Sequence, residues 1–130
     1  LHRIQQTLET LLWDPDLTIG KAADEVGVSP RYLQRLFAAD GRSFSGYLKK
    51  RRLDRCHADL ISPLHAQESI SEVAFRWGFS SSAHFSRSFR DHFGASPREH
   101  RRSGLANRIK DEMEVNKLWG EYQEFSKDRL

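Results

Sequence analysis

Apolar residues recur along this chain at helical intervals, in short runs separated by Gly, Pro and Ser. No stretch alternates apolar and polar residues as a strand would, so the pattern predicts an all-α protein. In residues 1–13, Ile4, Leu8, Leu11 and Leu12 fall on one face, and Asp14-Pro15 ends that helix. A short helix from Thr18 stops at Gly27. Ser29 then caps a helix whose first position is Pro30, where no N–H is needed, and which runs to about Asp40 before Gly41. A long helix is expected over residues 43–61, closed by Pro63. Its apolar positions are Phe44, Leu48, Leu53, Cys56 and Leu60. Ser69-Ile70-Ser71-Glu72 forms a capping box for a helix that Gly78 ends. The next helix starts at residues 80–82 and reaches His92, before Gly94. Ser96-Pro97-Arg98-Glu99 starts a short helix to Arg102. Residues 105–130 predict a separate amphipathic helix with Leu105, Ile109, Met113, Leu118, Tyr122 and Phe125 on its apolar side, and Gly120 as a place for a break.

Two of these segments repeat each other. Ile19, Ala22-Ala23 and Val26-Gly27-Val28-Ser29 correspond to Ile70, Val73-Ala74 and Trp77-Gly78-Phe79-Ser80. Leu33-Gln34-Arg35-Leu36-Phe37 then corresponds to Phe85-Ser86-Arg87-Ser88-Phe89, with the register slipped by one residue, and Gly41 corresponds to Gly94 after a second slip. Each copy has what a helix-turn-helix requires. Ala23 and Ala74 are small enough for two helices to cross closely. Gly27 and Gly78 suit the tight turn, and Leu33 and Phe85 anchor the second helix. The pattern divides the chain into a first helix-turn-helix subdomain (1–42), a linker helix (43–62), a second helix-turn-helix subdomain (63–102) and a C-terminal helical tail (103–130).

At these residues the chain resembles the AraC/XylS family of transcription regulators. The second copy carries the likeness most specifically. Ile70-Ser71-Glu72-Val73-Ala74-Phe75-Arg76-Trp77-Gly78-Phe79-Ser80-Ser81 leads into Phe85-Ser86-Arg87-Ser88-Phe89-Arg90, followed by His92-Phe93-Gly94-Ala95-Ser96-Pro97 and Arg101. Tyr47-Leu48 and Arg52-Leu53 match in the long helix. Trp77 stands where the family usually has a smaller aliphatic, and His84 where Tyr is common. The likeness covers about residues 3–102 and stops short of the tail. It implies seven helices and two recognition helices entering successive major-groove segments of duplex DNA. It also implies an effector-binding or dimerisation domain elsewhere in a larger protein, an expectation that fits a chain beginning at Leu1, and RNA polymerase as a further partner.

A helix-turn-helix presents the N-terminal half of its second helix to base edges. In the first copy this exposes Pro30, Arg31, Gln34 and Arg35, with Leu33, Leu36 and Phe37 turned inward. Arg can read guanine and Gln can read adenine. The resemblance places the family's base-contacting positions on Arg31, Gln34 and Arg35, and in the second copy on Ser82, Ala83, Ser86 and Arg87. The short side chains of the second copy predict a weaker reading of sequence. Phosphate contacts are expected from Arg42, Ser43, Lys49, Arg90 and Arg98, and His84 is either a phosphate contact or an aromatic-like packing residue. Not all of Lys49, Lys50, Arg51, Arg52 and Arg55 can face DNA, because neighbours on a helix point apart, so some pair with Asp54 or Asp59.

Charge agrees with this assignment without deciding it. The net +3 is uneven: residues 1–102 hold 16 Lys and Arg against 12 Asp and Glu, and residues 103–130 hold 5 against 6. No apolar run approaches the roughly 18 residues of a membrane span, and the single Cys56 fits a reducing cytosol. Cys56 reads as a core residue. His84, His92 and His100 do not all share one helix, since Gly94 and Pro97 cut off His100, and neither CxxC nor HExxH occurs. Nothing therefore points to an enzyme, a metal site or a cofactor. A protein-docking module or the adaptor domain of a DNA-repair enzyme would share the fold. Arg31 and Arg35 favour DNA over docking, and Cys56 in mid-helix disfavours alkyl transfer. The apolar stripe of the tail calls for a helix that folds back, self-associates or meets a partner.

Overall fold

The computed structural model describes residues 1–127 as seven α-helices and one 3₁₀ turn, with no strand among the described residues. In chain order they are α1 (His2–Glu9), α2 (Ile19–Val26), α3 (Pro30–Ala39), α4 (Phe44–Leu60), the 3₁₀ turn Pro63–His65, α5 (Ile70–Arg76), α6 (Ser82–Phe93) and α7 (Pro97–Lys127). Local chemistry sets most of these boundaries. The Thr18, Ser29, Ser43 and Ser81 hydroxyls each accept a backbone N–H of the first turn that follows. Ser69 and Glu72 complete the reciprocal capping box at α5.

Two apolar clusters hold the molecule together. The first joins Leu8, Ala22, Ala23, Leu33, Phe37 and Tyr47. The second joins Leu53, Cys56, Leu60, Val73, Ala74, Phe79, Phe85 and Phe89. Ala23 and Ala74 are fully buried at equivalent helix crossings, as the repeat requires. The long helix α4 divides its apolar residues between the two clusters. Its N-terminal part gives Tyr47 and Phe44 to the first cluster, and Leu53, Cys56 and Leu60 all belong to the second. Burial pushes the Cys56 thiol up to about 12, and its Sγ lies 3.9 Å from the Val73 carbonyl oxygen. The thiol is thus inert packing.

The structure departs from the sequence pattern in three places. α1 ends at Glu9 rather than near Trp13, because Thr10 and Leu11 bond back three residues, to Thr7 and Leu8, and tighten the chain into turns. Leu12 is nonetheless fully buried. Second, the helices expected at 97–102 and from 105 onward are one unbroken helix through Ser103, Gly104 and Gly120. A Cβ at Gly104 would meet the Cγ2 and Cβ of Ile61, so this glycine allows α7 to pass close to the end of α4. Third, the tail does not present a single apolar face. At about 100° per residue, Leu105, Ile109 and Met113 fall in one sector, and Leu118, Tyr122 and Phe125 fall roughly opposite. Beyond Leu105 the helix leaves the body: Ile109, Met113, Val115, Leu118, Trp119, Tyr122 and Phe125 are each more than half exposed. The last three residues, 128–130, of the expected tail lie outside the described residues.

His57 packs α4 against α6 and α7. Its ring stacks on Phe93 at 4.9 Å and meets His100 edge-on at 5.2 Å. Burial, and then neighbouring His100, lower its pKa below the usual 6.5, with Asp54 acting in the opposite sense. As pH falls through about 6.5 the unfolded chain takes up this proton before the folded one. The contribution of His57 to stability is therefore complete above that pH. It is lost progressively as pH drops toward the lowered folded value. Urea unfolding followed between pH 5 and 7 should show this loss, and His57→Phe should flatten it. Equal slopes in the variant and the parent would assign the pH dependence to other groups.

Candidate nucleic-acid interface

The second helices of the two helix-turn-helix units, α3 and α6, are built alike. In each, a serine cap follows the turn and the inward positions are filled by large apolar residues. These are Leu33 and Phe37 in α3, and Phe85 and Phe89 in α6, all fully buried. Anchoring these positions leaves Arg31, Gln34 and Arg35 exposed on α3, and Ser82, Ala83, Ser86, Arg87 and Arg90 exposed on α6. The Ser82 hydroxyl lies 2.8 Å from that of Ser71, which ties the start of α6 to α5. Among the described residues Ser86 has no such tie. Arg31, Arg35, Arg87, Arg90 and Arg98 have no ion pair among the described residues, and Arg98 sits in the first turn of α7.

Between the two units lies an open cleft of about 830 Å³. Gln34 of α3 and His84 of α6 both border it, together with Arg42, Ser43, Lys49 and Ser80. Its floor includes Leu17, Ile19, Phe44, Leu48 and Phe79. Of the residues expected to read bases, the cleft brings in Gln34 alone; Arg31, Arg35, Ser82, Ala83, Ser86 and Arg87 do not line it. His84 is exposed and only 6.4 Å, centroid to centroid, from Phe79, so it borders the cleft rather than filling a core.

The basic run of α4 is sorted by its partners. Arg51 pairs with Glu9 and with Asp54 at 3.1 Å, and Arg55 pairs with Glu9 at 3.2 Å. Arg52 is turned inward, where Nε donates to the Leu12 carbonyl at 2.9 Å and Nη2 to that of Asp14 at 2.6 Å. Burial lowers its pKa. Lys49 and Lys50 are exposed and unpaired among the described residues, and Arg42 holds Asp40 at 3.3 Å. Of the expected phosphate ligands here, Lys49 is unpaired, Arg42 is held at the edge of the cleft, and Ser43 caps α4 by accepting the Gly46 N–H at 3.0 Å.

Two residues do structural work that the sequence pattern had not assigned. Arg101 donates to the carbonyls of Leu60, His65 and Glu68 at 3.3, 3.1 and 2.5 Å. It thereby satisfies the end of α4 and the turn after it and fixes the direction of α7. Trp77, unusual for its position, donates Nε1 to Asp59 at 2.8 Å and lies under the Arg55 guanidinium at 5.7 Å. The larger side chain is accommodated by tying the end of α5 to α4.

Two tandem helix-turn-helix units joined by one long helix define the fold of a DNA-binding module. The helix-turn-helix domain profile matches residues 22–103. The chain belongs to the AraC/XylS family of DNA-binding transcription regulators, which are not enzymes. It is 36% identical over 108 residues to "Transcriptional activator NphR" of Rhodococcus sp, covering 80% of this chain and 31% of that protein. It is 35% identical over 107 residues to "Probable transcription factor PqrA" of Proteus vulgaris, covering 80% and 84%. Among solved structures, an AraC-type DNA-binding domain protein from Chromobacterium violaceum superposes with a TM-score of 0.67 at 33% identity, covering 79% of this chain and 93% of that one. The chain spans about a third of the length of the first two curated relatives it matches. No helix among the described residues is long and apolar enough to cross a membrane.

Proposed function

We propose that this chain binds duplex DNA sequence-specifically to regulate transcription, with α3 and α6 lying in successive major-groove segments. The observation that carries this reading is the shared basic cleft: Gln34 and His84, on the two recognition helices, border it with Arg42, Ser43 and Lys49. In this arrangement Arg31, Gln34 and Arg35 read bases from the first unit, and Ser82, Ala83, Ser86 and Arg87 from the second. Arg42, Ser43, Lys49, Arg90 and Arg98 hold phosphates, and the cleft takes the backbone strand that crosses between the two grooves. The whole protein works in the cytosol, joined to an effector-binding or dimerisation domain, and contacts RNA polymerase. The relatives named as activators and their greater length support this.

The linker predicts either bent DNA or a weak second contact. α4 has 17 residues and so is about 26 Å long at roughly 1.5 Å per residue. One turn of duplex spans about 34 Å. A bend toward the protein brings both grooves within reach.

Selection of bound duplexes from a random pool, followed by footprinting, tests the proposal. The expected result is a bipartite site. Its affinity should fall with a slope of about −3 to −4 in log K against log salt, for the four cationic phosphate ligands. A footprint limited to one half-site, unchanged when the second unit is deleted, would overturn it.

A chain ending at Asn107 should bind the same duplex with unchanged affinity. The helix beyond that point touches neither unit and brings no net positive charge. Gel shifts of the shortened and full chains, with circular dichroism to show folding, check this. A loss of affinity in the folded short chain would place part of α7 on the DNA.

A further inference from the structure

Gly27 and Gly78 hold the same place in the two repeats and the same backbone conformation, with φ of 84° and 91°. Their surroundings differ. A Cβ at Gly27 would enter open space, with nothing within 4 Å. A Cβ at Gly78 would collide with the Leu12 carbonyl oxygen and stand 2.8 Å from Nε of Arg52. The tight turn explains both glycines, but it does not explain this close approach. Gly78 is buried and Gly27 is exposed.

The atoms that crowd Gly78 come from the other parts of the molecule. Leu12 closes the segment after α1, in the first unit, and Arg52 lies on α4. Arg52 donates to Leu12 and Asp14 at once. The turn of the second unit therefore rests directly on the joint that Arg52 makes between α4 and the first unit. The two apolar clusters do not merge, and Leu12 and Leu48 are buried outside both. The junction between the units is therefore made of the buried Leu12 and Leu48 together with this polar joint.

We propose that the Arg52–Gly78–Leu12 joint sets the distance and rotation between α3 and α6, and so selects the spacing between the two DNA half-sites. Arg52 is then a positioning residue that touches no base. The planar guanidinium suits it, since one rigid fork reaches two carbonyls and leaves a flat surface for the glycine turn. This inference rests on the two-helix reading above.

The test measures binding to duplexes carrying the selected half-sites at the preferred spacing and with one or two base pairs added or removed. The parent should show a sharp optimum. Arg52→Lys keeps the charge but loses the two-pronged contact. Its preference for the best spacing should fall roughly tenfold, about the loss of one charge-assisted hydrogen bond. Affinity for an isolated first half-site should be retained. Gly78→Ala should move or flatten the optimum, and Gly27→Ala should weaken binding at every spacing alike. If Gly78→Ala fails to fold, Arg52→Lys decides. An optimum of unchanged position and sharpness in Arg52→Lys overturns the joint's role and leaves the two-helix reading intact. A parent with no spacing optimum overturns both.

Discussion

Leu53→Pro is expected to separate the two units and to cost about 3 kcal/mol or more, the usual penalty of proline inside a helix. Leu53 lies mid-way along α4 and is 2% exposed. Proline there removes the bond to the Lys49 carbonyl and also empties part of the second cluster. The division of α4 between the clusters makes the outcome asymmetric. Tyr47 and Phe44 precede the break, so the first unit keeps its support, whereas Cys56 and Leu60 follow it. The second unit should melt first in urea, with binding to the first half-site persisting and the bipartite preference lost. Typical domains have only about 5–15 kcal/mol of stability, so the loss is readily measured. Normal affinity and spacing on bipartite sites would show that α4 does not work as a rigid spacer.

Arg35→Ala should weaken binding to the selected duplex by about 1–3 kcal/mol and relax discrimination at one base pair. Arg35 is exposed on α3 and has no ion pair among the described residues, so none of these competes with guanine for it. Ser86→Ala on α6 should cost less, because a single short hydroxyl reaches fewer base-edge groups. Gel shifts against single-base variants of the site distinguish base from phosphate contact. Uniform weakening by Arg35→Ala across all variants would make Arg35 a phosphate ligand, and equal effects from both substitutions would remove the expected difference between the units.

Helix order, caps and the repeat were legible because they depend on neighbours within a few residues. Ser29-Pro30, Ser43 and the Ser69–Glu72 box mark starts by satisfying first-turn N–H groups wherever the chain lies. The exposed faces of α3 and α6 follow from the spacing of Leu33 and Phe37, and of Phe85 and Phe89. One sign of the inward Arg52 was also present. It stands four residues from both Leu48 and Cys56, which places it on the buried side of α4. The charge of Arg52 concealed this, because arginine is seldom turned inward without partners, and its partners are carbonyls some 40 residues away.

The sequence by itself thus determined an all-helical chain with two helix-turn-helix units, their anchoring residues and the side chains left on their recognition helices. These follow from helical period, capping and turn chemistry, which act locally. Only the tertiary structure decided that α7 runs unbroken past Gly104, which of the basic residues on α4 remain unpaired, and that Arg52 turns inward onto Leu12. Each depends on a distant surface: Ile61 against Gly104, Glu9 against Arg51 and Arg55, Leu12 against Arg52 and Gly78. The likeness of Gly27 and Gly78 in sequence could not distinguish them. One faces open space and the other supports the joint between the units, because the two halves of the repeat pack against different neighbours.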